Sequence, residues 1–360
     1  MADKVRIAVI GTGFARTVQI PAFLSHPEIE ITAIASGSPG KAASVAREFG
    51  IPFATDDWRR AIDRKDVDLV CITTPPDLHH RMAIFAAECG KHILCEKPMA
   101  MNTEEAEQMA LTAEKAGVIA LIDHELRFQP GRQRAFSLIR EYAIGKILHF
   151  RYLFQAPHRG DPNLKWNWWS DINRGGGALG AIGSHIIDAI CWIADSIPSA
   201  VTGQLHTHVQ ARPTDSNEKL PVTSDDEALL FFAFRSGDFV SDATALASIS
   251  MVAGPEYLNR FEIFGTEGSI RLEHRGELFI AKRGDADWQR LEAPLAPAIE
   301  GAPDTGFSRG FMAFVPEIVR AIKNGSQPPE FAATFDDGIR VQRVLDATRS
   351  SNAEHRSIEI

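Results

Sequence analysis

Val5-Arg6-Ile7-Ala8-Val9-Ile10-Gly11-Thr12-Gly13-Phe14-Ala15 is the stretch whose reading decides the fold. Val5 to Ile10 is a nearly continuous apolar run rather than an alternating one, the pattern of a strand covered on both faces of a sheet. Gly11-Thr12-Gly13 follows directly. Glycines there let the backbone bend tightly and approach a pyrophosphate at the N-terminus of the next helix. A Gly-x-Gly turn is also ordinary punctuation after a strand, so its meaning rests on what surrounds it. The third glycine of G-x-G-x-x-G is absent: Arg16 stands in its place, which leaves Ala15 to provide the close helix-to-strand packing.

Outward from this turn the pattern repeats. IEITAIA (29–35), DLVCIT (68–73), KHILCE (91–96) and VIALID (118–123) are apolar runs separated by amphipathic stretches. Strands alternating with helices in this way form a parallel sheet with crossover helices, so residues 1–124 are expected to be a doubly wound α/β domain. Beyond Asp123 the rhythm changes, and residues 125–360 are expected to form a second, α+β domain. Its helix candidates lie near Arg132–Tyr142 and from Ala178 to Asp195. Its strand candidates are 147–155, 200–210, 226–235, 238–250, 258–266, 268–273 and 277–282, which follow one another largely without helices and predict a large, mostly antiparallel sheet. Leu291–Phe307 reads as a long surface loop, a helix is expected from about Arg309, and a C-terminal helix near 333–350 is expected to pack back on the first domain.

Composition narrows the partners. The 360 residues are 44% hydrophobic and 24% charged, ordinary for a folded globular protein. A formal charge of −9 argues against nucleic acid, whose binding draws on dense Lys/Arg surfaces. No run of about 18 apolar residues is seen and Val5–Ile10 is no leader, so no membrane role is expected and the expected compartment is the cytoplasm. Cys71, Cys89, Cys95 and Cys191 lie in apolar stretches without CxxC spacing, which predicts reduced thiols and no metal site.

Two segments carry candidate chemistry. Glu96-Lys97-Pro98 places Lys97 at the carboxyl end of a parallel strand, where open α/β sheets bind ligands, although a lysine beside Glu96 also fits a solvated ion pair. An ammonium there could polarise a carbonyl or relay a proton. In Gly175–Asp188, His185 and Asp188 stand three residues apart on one helical face, and an imidazole suits the exchange of a hydroxyl proton. A histidine on an apolar helix is also often a satisfied core residue. The second strand ends in Ala35-Ser36-Gly37-Ser38 with no acidic residue to bind a ribose hydroxyl or repel a 2′-phosphate. Ser36, Ser38 and Lys41 therefore favour NADP, with NAD possible; the alternative is that Ser38 merely caps the next helix.

In order along the chain, VIGTGF, TTPPDLHH, GKHILCEKP, RFQP, the GGG…GSHIIDAICWI segment and FEIFGTEGSIRL resemble the Gfo/Idh/MocA family of oxidoreductases. The resemblance implies a Rossmann domain followed by an α+β substrate and oligomerisation domain, and hydride transfer with a sugar, polyol or sugar-derived carbonyl. It assigns substrate contact to Lys97 and acid–base work to His185, and the ASGSPGKA segment is similar to the family's NADP-binding stretch. Cofactor contacts are expected at Gly11, Thr12, Gly13, Phe14, Ala15, Ser36, Gly37, Ser38, Lys41, Thr73, Thr74, Pro75, His79, Glu96 and Lys97. Substrate contacts are expected at Lys97, Arg127, Trp168, His185 and Asp188, the tryptophan from a loop rich in aromatic and hydrogen-bonding side chains. The family implies a homodimer or homotetramer. One departure stands out: many members carry an Asp four residues before the histidine, where this chain has Ala181. Asp188, or acids of the loop 161–171, are candidates to compensate. The gap also keeps two rivals in view, a cofactor-binding sensor and an NAD-dependent glycosidase.

Overall fold

The computed structural model describes residues 4–38, 40–325 and 327–360. The N-terminal part runs β1 (Val5–Ile10), α1 (Ile20–Leu24), β2 (Ile29–Ala35), α2 (Lys41–Phe49), β3 (Phe53–Thr55), α3 (Trp58–Ile62), β4 (Leu69–Ile72), α4 (His79–Glu88), β5 (His92–Cys95), α5 (Thr103–Ala116) and β6 (Ala120–Ile122). Next come α6 (Pro130–Arg140), β7 (Ile147–Gln155), α7 (Ser184–Ala194), β8 (Ala200–His206), β9 (Ala211–Pro213), β10 (Lys219–Pro221), β11 (Glu227–Ala233), β12 (Val240–Ser250), β13 (Leu258–Gly265), β14 (Gly268–Leu272), β15 (Leu278–Lys282) and β16 (Gln289–Leu291). The chain ends with α8 (Gly306–Asn324), β17 (Ala333–Thr334), α9 (Phe335–Glu354) and β18 (Ile358–Glu359).

Two compact units result, one from Met1–Gln129 with Ala296–Ile339, the other from Pro130–Leu295 with Arg340–Ile360. The first is built on a seven-stranded sheet ordered β17-β6-β5-β4-β1-β2-β3, parallel except for β17. The order reverses between β1 and β4, and such a switch point opens a crevice at the carboxyl ends of the strands. Ile7, Val9, Leu69 and Cys71 belong to one apolar core while Ala8, Ile10, Val70 and Ile72 belong to another, so each strand buries both faces. That double burial is why the runs are continuous rather than alternating.

The boundary differs from the expected one. Residues 125–129 and the whole of α8 belong to the first unit, where Phe311 meets Phe23 edge-on and Phe314 stacks on Phe128. α8 starts at Gly306 rather than near Arg309, because Thr305 and Ser308 form a reciprocal capping box. In the segment 291–307, Ala296 and Ile299 are buried, which ties down what composition alone marks as surface loop.

The second unit holds a nine-stranded sheet ordered β16-β15-β14-β13-β7-β12-β11-β8-β18, antiparallel throughout except for the parallel β12–β7 pair. Alternate residues of β11 point to opposite faces: Ala228, Leu230 and Phe232 are buried, while Phe231 is 57% exposed. The face opposite the core also carries the cross-strand ion pair of Arg151 with Glu262 at 2.5 Å. By length and composition alone the stretch Ile172–Ala194 could cross a membrane, its isoleucines and alanines raising the average although polar residues interrupt the run; 83% of its window is buried, as in a core helix.

Candidate active site

The turn after β1 lies at the switch point. Gly11 has φ +116°, and a Cβ there would sit 2.5 Å from the carbonyl oxygen of Thr73, at the end of β4. Glycine is required because two strand ends meet, a reason different from the one the motif suggested. Gly13 is the opposite case: nothing lies within 4 Å of its missing Cβ, so the backbone there is open to close approach. A π-type helical turn, Ala15–Gln19, then leads into α1, and Ala15 is fully buried in the core as its expected packing role requires. An exposed glycine turn at a helix start, in the crevice of a doubly wound sheet, fits a dinucleotide pyrophosphate.

The neighbouring loops are tied to this turn from within. Thr73 Oγ1 donates to the carbonyl of Ile10 at 3.1 Å. His79 is fully buried, its ring nitrogens 2.8 Å from the carbonyl of Thr74 and 3.0 Å from that of Pro98, and burial holds its pKa below the usual range. Its side chain therefore shapes the Thr74-Pro75 and Lys97-Pro98 loops instead of reaching a cofactor. Ser36 and Ser38 are half-buried and Lys41 is exposed beyond β2. Ser38 is no helix cap, because Gly40 occupies that position and no side chain caps α2. Pro39 of the same segment lies outside the described residues.

Lys97 follows β5 with its side chain 20% exposed, and its Nζ lies 3.9 Å from Glu96 Oε2, whose side chain is 10% exposed. This is not a solvated surface pair. The Glu96 side chain turns inward, where the Gln19 amide donates to it at 3.0 Å and to Asp123 at 2.8 Å. Glu96 is thus a core residue rather than a cofactor contact. Arg127, expected at the substrate, is buried and paired with Asp337 at 3.4 Å. The structure assigns its guanidinium to the packing of the first unit.

In the second unit a continuous helical stretch begins at Ala178, passes through a π-type turn at Leu179–Gly183 and continues as α7. Such π segments insert an extra residue and often mark functional positions. Here it directly precedes Ser184-His185. His185 and Asp188 are both 3% exposed, and Ala181 is also buried. The start of the helix is held by a residue 46 positions away: Asp225 Oδ2 accepts the Leu179 N–H at 2.7 Å, and its backbone carbonyl accepts that of Ala178 at 2.9 Å. Gly177, with φ +111°, leaves no room for a Cβ, which would meet the same carboxylate at 2.3 Å. Burial pushes Asp225 up to about 6. At the other end of α7, Arg140 donates to the carbonyls of Ile193 and Trp192 at 2.9 and 3.2 Å.

The aromatic loop is pinned beside this element. Arg212 donates to the carbonyls of Asp161 and Arg159 at 2.6 and 2.5 Å, and Ser224 Oγ donates to that of Trp169 at 2.7 Å. The Arg159 guanidinium lies 4.1 Å from the Trp169 ring centre and is lowered to about 10 by burial and by Arg212. Trp168 is half-buried. Of the loop acids, Asp161 accepts from Asn163, and Asp171 accepts from the Asn173 N–H. Sequence reasoning missed Gln19, Asp123 and Asp225. Asp123 gave the one available signal, its place at the end of a parallel strand.

Residues 5–124 match the oxidoreductase family with the NAD-binding Rossmann fold, and residues 133–271 match the Gfo/Idh/MocA C-terminal domain. Levoglucosan dehydrogenase of Pseudarthrobacter phenanthrenivorans is 33% identical over 397 residues, covering 99% of this chain and 98% of its own. The chain belongs to the Gfo/Idh/MocA oxidoreductase family. Solved structures agree: levoglucosan dehydrogenase in complex with NADH and levoglucosan gives a TM-score of 0.87 at 30% identity, over 99% of this chain and 100% of that one. An oxidoreductase domain protein from Kribbella flavida gives 0.88 at 30% identity, over 99% of both chains. As a Gfo/Idh/MocA member the chain is an NAD(P)-dependent dehydrogenase or reductase acting on CH–OH groups.

Proposed function

We propose that this Gfo/Idh/MocA enzyme is an NADP(H)-preferring oxidoreductase of a sugar, polyol or sugar-derived carbonyl. The observation that carries the reading is Lys97: a shielded ammonium at the carboxyl end of β5, with its counter-ion Glu96 anchored from behind by Gln19. When bound, the nicotinamide supplies a hydride acceptor or donor at C4. Lys97 is assigned the polarisation of the reacting oxygen and His185 the exchange of its proton. Trp168 and Asp188 are proposed substrate contacts. Related proteins solved with NADH and levoglucosan or with NADH and L-sorbose support a sugar-like substrate.

The NADP preference rests on the turn after β2. It carries Ser36, Ser38 and Lys41 and no carboxylate, and Asp57, beyond the neighbouring β3, is spent on capping α3. Comparison of dissociation constants for NADPH and NADH tests it, and tighter binding of NADH overturns it. We also propose a cytoplasmic location, in keeping with four cysteines that form no disulfide, and a homo-oligomer formed through the outer face of the nine-stranded sheet, where Phe231 and Leu148 are exposed.

A sensor is the second reading, favoured by one feature: Ala181 is buried and apolar where many relatives carry the carboxylate. Following reduced-nicotinamide absorbance against sugars, polyols and their keto forms separates the two. Turnover establishes the oxidoreductase; cofactor binding without any redox change supports the sensor.

A further inference from the structure

Behind Lys97 lies a buried polar chain that the proposed chemistry does not use. Gln19, Cys71 and Asp123 are fully buried, and Glu96 nearly so. The Gln19 amide nitrogen donates to Glu96 Oε1 at 3.0 Å and to Asp123 Oδ2 at 2.8 Å, while its oxygen accepts the Cys71 thiol at 3.2 Å. The shared Gln19 amide draws the Glu96 and Asp123 carboxyl groups together. On its outer side Glu96 Oε2 accepts the Lys97 N–H at 3.3 Å and faces the Lys97 ammonium at 3.9 Å.

Two ionised carboxylates gathered on one amide inside a protein core repel with little screening, so the pair favours holding one proton. The surroundings decide which one holds the proton. Glu96 has the Lys97 cation beside it. Asp123 faces Glu96 and Glu125, with the buried thiols of Cys71 and Cys95 nearby. Asp123 Oδ1 accepts no hydrogen bond, which would leave a carboxylate there with an unsatisfied buried oxygen but suits an acid donating to Glu96. Burial, then Glu125 and Glu96, push the Asp123 carboxyl well up; burial also raises Glu96, against the opposing pull of Lys97.

We propose that Gln19 and a protonated Asp123 are positioning residues for Lys97, acting through Glu96, which they hold as an anion in the one orientation that fixes the lysine ammonium. Because Gln19 ends the π-type turn that follows the glycine loop, the same element presents the dinucleotide turn and anchors the lysine's counter-ion. This inference rests on the reading of Lys97 as the substrate-contacting lysine.

The test compares Asp123→Asn, Asp123→Leu and Gln19→Leu with the wild type in two ways: kcat, KM and cofactor affinity with a reacting sugar, and the rate of amine-selective labelling of Lys97 at fixed pH, read by peptide mass spectrometry. A carboxamide donates where the acid did, so Asp123→Asn keeps kcat and labelling within about threefold of wild type. Asp123→Leu and Gln19→Leu lower kcat by about tenfold to a hundredfold with cofactor affinity within about threefold, and they change Lys97 labelling at least about threefold. Asp123→Asn as damaging as Asp123→Leu would show that Asp123 works as an anion, and unchanged kcat and labelling in Gln19→Leu would show that Glu96 needs no anchor; either overturns the proposal. If the leucine variants do not fold, Gln19→Glu, which replaces the double donor by a third carboxyl, is expected to show the same losses, and Asp123→Asn alone still decides the protonation state. If the wild type turns over no sugar, the oxidoreductase reading fails by itself and the labelling comparison still decides the coupling.

Discussion

At the scale of single residues, the two glycines after β1 separate folding from binding. Gly11→Ala forces a Cβ against the Thr73 carbonyl at a positive φ, and it is expected to cost about 3 kcal/mol or more of stability. Gly13→Ala meets no protein atom, so thermal unfolding is expected to shift by no more than about 2 °C while cofactor affinity falls about tenfold or more. Calorimetry and a fluorescence titration read the two effects separately; a Gly13→Ala variant that binds cofactor as wild type would remove the turn from the binding site. Lys97 and His185 stand out in the sequence as candidates because each sits in a motif whose local context limits what it can do. Gln19 and Asp123 were not, because their meaning lies in partners 77 and 104 positions away from Gln19. Arg127 was legible as a charge but not as a buried one, since nothing near it in sequence announces Asp337.

At the scale of elements, the helix that carries His185 depends on a carboxylate from outside it. Asp225 is almost wholly buried and titrates near 6 in the folded protein, above its range in the unfolded chain, because burial disfavours its charged form. The folded state therefore binds the proton more tightly, and this group's contribution to stability is full below the unfolded pKa and lost as pH rises through about 6. Relative to Asp225→Asn, the wild type is expected to lose about 2 kcal/mol between pH 4 and pH 7, most of it below pH 6. Urea unfolding of both proteins across that range measures it, and parallel stability curves would contradict it. The long strands were readable because each apolar run spans four or more residues bounded by helices or turns. β3, β9, β10, β16, β17 and β18 have three residues or fewer, too short for periodicity to register. The parallel β12–β7 pairing joins strands far apart in the chain, which no local pattern encodes. The π-type turns were equally invisible, since the residues in them are ordinary helix residues.

At the scale of the whole molecule, the outer face of the nine-stranded sheet is where the proposed assembly can be tested. Phe231 and Leu246 pair across β11 and β12 on that face. Replacing both by Glu is expected to turn an oligomer into monomers on light scattering behind size exclusion, with the secondary structure retained; an unchanged mass would place the interface elsewhere. The sequence conveyed a doubly wound sheet followed by a mostly antiparallel one. It did not convey that α8 returns to the first unit, because an amphipathic helix carries no mark of which core it covers. The proposed role of Lys97 in redox chemistry on a sugar-like hydroxyl or carbonyl is tested by reduced-nicotinamide absorbance with wild type and Lys97→Ala under the same sugar and cofactor screen. Turnover is expected in the wild type, with a fall of about a hundredfold or more in the variant and cofactor affinity within a few fold. Equal turnover in both proteins, or loss of cofactor binding in the variant, would contradict it.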